Sequence, residues 1–128
     1  MSYFENLQKA IDHIEDNLTN HLQISEISKA AGYSIPHFYR VFNAFVGCSV
    51  NEYVRKRKLS EAMYEICTTR KSIISIALDH GFESHEVFSR TFKSVYGMSP
   101  SQIRKGSKQP SMYERVHLLS QKHESRWV

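Results

Sequence analysis

Apolar positions in the first part of the chain recur at alternating spacings of three and four. Phe4, Leu7, Ile11, Ile14 and Leu18 set this rhythm, which predicts an amphipathic helix packed by one face. Ser2 and Glu5 precede it at capping-box spacing. Its outer face is acidic and reads as scaffold. A shorter helix is predicted from about Ile24 to Ala31, burying Ile24, Ile27 and Ala30 or Ala31, with Gln23 as a poor cap. Gly32 interrupts the pattern. The next helix runs from Ile35 or Pro36 to Val46, with Pro36 in the first turn, where its missing N–H is no loss. Phe38, Phe42 and Phe45 face inward; Pro36, His37, Tyr39, Arg40 and Asn43 lie on or beside the open face.

Beyond Gly47 a longer helix is predicted from about Val50 to Cys67, with Val50, Tyr53, Val54, Ala62, Met63 and Ile66 as its apolar stripe. Four cations in a row, Arg55 to Lys58, wrap most of the way round it and cannot all face one partner. Ser72 caps the following helix, which buries Ile73, Ile76 and Ala77. After Gly81 a helix from about His85 to Tyr96 buries Phe88 and Phe92 at i, i+4 and turns His85, Glu86, Ser89, Arg90 and Lys93 outward. Ser99-Pro100 opens a last short helix carrying Arg104 and Lys105. Residues 107–111 read as a linker. The remainder holds only a short apolar cluster (Met112, Tyr113, Val116, Leu118, Leu119), expected to be a frayed segment or the start of a further domain.

Two stretches of this pattern are copies. Ser34, Phe38, Arg40, Phe42, Gly47 and Ser49 lie fifty residues before Ser84, Phe88, Arg90, Phe92, Gly97 and Ser99 (84 − 34 = 50). Upstream, Ile24, Ile27, Gly32 and Tyr33 match Ile73, Ile76, Gly81 and Phe82 at an offset of 49 (81 − 32 = 49), one residue being inserted about where Glu83 stands. Each copy is a short apolar helix, a glycine turn suited to left-handed backbone, and a second helix. The expected architecture is all-α: two helix-turn-helix subdomains joined by a long linker helix, about seven helices in total. The boundaries fall at 1–50, 51–67 and 68–106, with 107–128 as tail or linker.

Charge adds a direction. Of 17 basic and 13 acidic residues, positions 1–26 hold one and five respectively, so the remainder carries a net +8. A second helix that is polar and basic at its exposed start and aromatic beneath suits a DNA major groove. No apolar run approaches the ~20 residues of a membrane span, and two cysteines make no disulfide framework, which favours a cytoplasmic protein. Enzymatic and metal chemistry are not expected. His85-Glu86 lacks the histidine four residues on that a zinc-protease helix requires, and there is no phosphate-binding loop or nucleophile elbow. No cofactor is implied.

Gly81-Phe82-Glu83-Ser84, Phe88-Ser89-Arg90-Thr91-Phe92-Lys93 and Tyr96-Gly97-Met98-Ser99-Pro100 closely resemble the second helix-turn-helix of AraC/XylS-type transcription regulators, and Ile24 to Ser49 resembles the first. The resemblance spans roughly residues 5–105. It departs at Ile103, where the family usually has an aromatic residue, and at Pro36, where small stand-alone members place a large DNA-contacting side chain. It implies two recognition helices in successive major grooves of double-stranded operator DNA, with RNA polymerase as a further partner. Carried over by position, the base-facing residues are Pro36, Tyr39 and Arg40 in the first motif and His85, Glu86, Ser89 and Arg90 in the second. Arginine can fork to guanine and glutamate can accept from cytosine. The phosphate candidates are His37, Asn43, Arg55, Lys56, Lys93, Arg104 and Lys105. Two other readings remain at this point: the DNA-binding front end of a longer regulator with a C-terminal effector domain, and a helical protein-interaction adaptor.

Overall fold

Serine caps and glycine stops divide the chain into its helices. The computed structural model describes residues 2–106 and 109–118, and among these it has seven helices and no strand. They are α1 (Tyr3–Asp16), α2 (Ile24–Ala31), α3 (Ile35–Val46), α4 (Val50–Thr68), α5 (Ile73–Asp79), α6 (His85–Tyr96) and α7 (Pro100–Lys105). Ser2, Ser34, Ser72, Ser84 and Ser99 each accept a first-turn N–H, and Ser49 does so for α4. Such a cap contributes about 1 kcal/mol. At Ser2 the Glu5 carboxylate takes the serine hydroxyl as well. Gln23 caps α2 with no side-chain bond.

The duplication holds at the level of single hydrogen bonds. Gly32 and Tyr33 donate to Lys29 and Ser28 carbonyls, each at 3.0 Å; Gly81 and Phe82 donate to Leu78 and Ala77 at 3.1 and 3.0 Å, each partner 49 residues on. This is the Schellman closure, which needs a left-handed residue at its centre. Gly32 and Gly81 supply it with φ of 78° and 82°. Past the inserted residue the offset becomes fifty: Gly47 N–H to Asn43 and Gly97 N–H to Lys93.

The residues fall into two compact units. The first comprises α1–α3, the start of α4 through Val54, and residues 115–118. Leu7, Ile11, Ile14, Ile27, Phe38, Phe42 and Tyr53 are buried in it. The Phe38 and Phe42 rings lie 5.6 Å apart, and Phe42 meets Tyr53 edge-on at 5.7 Å. The second unit runs from Arg55 to Glu114. Its core joins Leu59, Met63 and Ile66 of α4 to Ile76, Phe88, Phe92 and Ile103, with Met112 packed against them. Phe88 and Phe92 stand 5.5 Å apart, repeating the first copy. Burying each such ring is worth roughly 1.5–3 kcal/mol. The departure at Ile103 is thus a core position filled by an aliphatic side chain.

The apolar stripe of the helix that joins the two subdomains contributes to both cores: Tyr53 is buried in the first unit and Leu59, Met63 and Ile66 in the second. Two expectations are corrected. Residues 109–118, read with the tail, are fastened. Tyr113 N–H donates to Ser60 Oγ at 2.8 Å, and Arg57, only 5% exposed, donates to the Tyr113 carbonyl at 2.6 Å. In the first unit, Val116 N–H donates to Tyr53 Oη and Leu118 N–H to Gln8 Oε1. Arg115 pairs with Asp12 on the acidic face of α1. An extended segment held by backbone-to-side-chain bonds has no periodicity to betray it. The expectations for 107–108 and 119–128 lie outside the described residues. Finally, Phe45 does not face inward but is 39% exposed, with its ring against Phe4 and Tyr3 in the first turn of α1.

Candidate nucleic-acid interface

Each second helix of a copy has a floor and an open face. In α3 the floor is Phe38, Val41 and Phe42; in α6 it is Phe88 and Phe92. The opposite positions follow at i, i+3, i+4 and i+7. Pro36, Tyr39, Arg40 and Asn43 are all exposed on α3. Fifty residues on, Glu86, Ser89, Arg90 and Lys93 occupy the same places on α6, where Ser89 is half-buried and the others are exposed. His85 is exposed at the first position of α6. Seven side chains proposed for base contact are thereby gathered on two helix starts. They lie within the first two turns, towards the positive end of each helix dipole.

Among the described residues neither Arg40 nor Arg90 makes an ion pair or hydrogen bond. Intramolecular pairing with Glu52, Glu83 or Glu86 would have been the simplest alternative use for these guanidiniums. Their five donors each are left to solvent, in the state that a bidentate acceptor requires.

The phosphate candidates separate into three groups. Asn43, Arg55, Lys93 and Lys105 are exposed. His37 and Lys56 have aromatic company: His37 is half-buried, edge-on to Tyr33 at 4.8 Å and near Tyr3 at 6.3 Å, and Lys56 Nζ lies 5.2 Å from the Tyr113 ring centre. Arg104 has another task. Its Nε donates to the Ile66 carbonyl at 3.1 Å and its Nη2 to Thr69 at 3.3 Å. These carbonyls lie where α4 ends and lacks intrahelical donors. Arg104 thus clamps the C-terminus of α4, a second use for a side chain read from the sequence as a phosphate contact. Burial pushes the neighbouring Cys67 thiol up, and the Arg104 charge pulls it partly back.

Sequence reasoning missed two residues. Lys58 reaches the turn before α6: its Nζ is 3.1 Å from where a Cβ on Gly81 would stand. Its partial burial holds the ammonium below its ordinary pKa. The four-cation run concealed it, because spacing does not say which of four consecutive cations turns inward. His80 is buried at the end of α5, with Nδ1 2.8 Å from the Ile76 carbonyl and Nε2 3.8 Å from Glu65. The described residues contain no group of three His, Cys, Asp or Glu side chains placed to hold a metal, and no helix long and apolar enough to cross a membrane.

Two helix-turn-helix units, each with an unpaired arginine on its bare second helix, define a DNA-binding class of protein. Comparison with known proteins gives the family. A helix-turn-helix domain family matches residues 11–106. The transcriptional activator AarP of Providencia stuartii is 43% identical over 91 residues, covering 71% of this chain and 67% of its own length. The multiple antibiotic resistance protein MarA of Escherichia coli is 34% identical over 98 residues, covering 77% of each. A crystal structure of an AraC-type transcriptional regulator from Chromobacterium violaceum superposes with a TM-score of 0.76 at 28% identity, covering 84% of this chain and 96% of that one. The chain belongs to the AraC-type helix-turn-helix family of transcription regulators. That is a family of DNA-binding regulators and not of enzymes.

Proposed function

We propose that this protein is a sequence-specific activator that places α3 and α6 in successive major grooves on one side of a DNA duplex. The observation that carries the proposal is the matched pair of open helix faces, Pro36-Tyr39-Arg40-Asn43 and Glu86-Ser89-Arg90-Lys93, each above a buried two-phenylalanine floor. In this reading Arg40 and Arg90 each fork to guanine, Glu86 accepts from cytosine N4, and Ser89 contacts either base type. Tyr39 lies against sugar or a thymine methyl. Pro36 and His85 lie beside the base edges. Asn43, Arg55, Lys93 and Lys105 neutralise phosphate, with His37 and Lys56 beside them. RNA polymerase is the proposed protein partner and the cytoplasm the proposed compartment. The similarity to AarP and MarA supports the activator role.

The test is selection of bound duplexes from a random pool, followed by titration of variants. The selected site should be asymmetric, with two informative patches about ten base pairs apart. Arg90→Ala should cost about 1–3 kcal/mol on that site and relax one base pair, while Lys93→Ala should weaken all duplexes alike and flatten the salt slope by about one. Equal losses on specific and random duplex for Arg90→Ala would remove its readout role. No binding to any duplex at low salt would favour an adaptor.

A further inference from the structure

The second unit contains a cavity of about 330 Å³ that the DNA reading leaves unused. Leu59 of α4, Val95 and Tyr96 at the end of α6, and Met112 and Tyr113 of the following segment supply its apolar walls. Arg55 and Lys56 line it too, and among the described residues no acidic side chain does. The wall formed by residues 111–113 is fixed in place: Ser60 accepts the Tyr113 N–H and Arg57 holds the Tyr113 carbonyl. Tyr96 is half-buried beside this wall, and that burial raises the pKa of its phenol. The site is therefore formed before any ligand arrives, as small-molecule pockets generally are.

We propose that this cavity binds a small aromatic carboxylate. Two tyrosine rings and a methionine thioether favour a flat ring over a branched chain. The charge is set by Arg55, which makes no ion pair or hydrogen bond among the described residues, and by Lys56 above the Tyr113 ring. A half-open apolar cleft with cations and, among the described residues, no carboxylate suits a ligand with an apolar body and one negative charge. The volume lies at the small end of the range for ligand pockets, which suits a molecule of one or two rings.

The ligand also has a route to regulation, and this part rests on the DNA reading above. Arg55 is a phosphate candidate, and Val95 and Tyr96 belong to the last turn of α6. A carboxylate on Arg55 removes a cation from the duplex, so binding of ligand and of DNA should oppose one another.

The test is a titration of the ¹⁵N-labelled full chain with 2-naphthoate, followed by NMR, with 2-naphthylmethylammonium as the ring of opposite charge. Naphthoate should produce saturable shifts at Leu59, Val95, Tyr96, Met112 and Tyr113, with a Kd on the order of 1 mM or tighter for a ligand of this size. The ammonium analogue should not. Arg55→Gln should weaken naphthoate about tenfold, the loss expected for one charge-assisted hydrogen bond. Val95→Glu, at an exposed position that tolerates substitution, should abolish binding. Equal binding of both analogues, or unchanged binding to Val95→Glu, overturns the site. In a parallel anisotropy titration naphthoate should lower duplex affinity severalfold. Naphthoate that binds without doing so overturns the coupling alone, and a chain that binds naphthoate but never binds duplex counts against the DNA reading alone.

Discussion

Replacing Arg104 by methionine separates two physical roles for one cation. The aliphatic stem stays, while the guanidinium and its bonds to the Ile66 and Thr69 carbonyls are lost. A hydrogen bond from a charged group contributes roughly 1.5–3 kcal/mol when well made. The Thr69 bond is long at 3.3 Å, and Arg104 is only half-buried, so both bonds fall at or below the lower end of that range. A cation beside the C-terminus of α4 adds about 0.3–1 kcal/mol. The expected loss is about 2 kcal/mol, or a Tm lower by about 8 °C for a chain of this size, read by circular dichroism. A second readout is the thiol of Cys67, on which the Arg104 charge acts downward. Without that charge the thiol pKa rises further, and alkylation at fixed alkaline pH slows. The salt slope of DNA binding should not change. If Arg104→Met leaves Tm within about 1 °C but reduces the slope by the ~0.9 of one phosphate contact, the clamp assignment is wrong.

Further expectations concern the two cores and the turns. Phe38→Ala and Phe88→Ala should each cost about 3–5 kcal/mol, since both rings are fully buried in equivalent positions; urea titration would show whether the two units lose stability to the same extent. Gly97→Ala should cost about 1–2 kcal/mol through its φ of 75° alone, because an added Cβ there meets nothing within 4 Å. The alkaline limb of stability has two opposed contributors. Tyr96 has a raised pKa, so its contribution is complete below the ordinary value of 10.0 and is lost as pH climbs through the folded value. Lys58 has a lowered pKa, so the unfolded chain binds more protons just below 10.5 and stability there increases with pH. Urea midpoints against pH should accordingly lose less on the alkaline side in Tyr96→Phe and lose the rising component in Lys58→Met. Unchanged profiles in both variants would refute these environments.

Much of the architecture was legible in the chain because the signals are local. A serine cap, a glycine stop and an i, i+4 phenylalanine pair each act within one turn of helix, and their recurrence at offsets of 49 and 50 identified the copies. The open faces of α3 and α6 followed from the same periodicity, since exposure on a helix is the complement of its buried stripe. Side chains whose partners are distant in sequence were not legible. Arg57 and Arg104 read as surface cations, yet one holds a carbonyl 56 residues away and the other a carbonyl 38 residues away. Lys58 and Lys56 sit in the same charged run, and only the tertiary structure turned one towards Gly81 and the other over Tyr113. Residues 109–118 carry no repeat at all, because an extended strap pinned by Ser60, Arg57, Tyr53 and Gln8 obeys no helical or strand period. Local backbone preferences thus determined the helices and their faces. Which cations bind the protein's own carbonyls, and the cleft that the strap lines, depended on contacts that only the folded chain assembles.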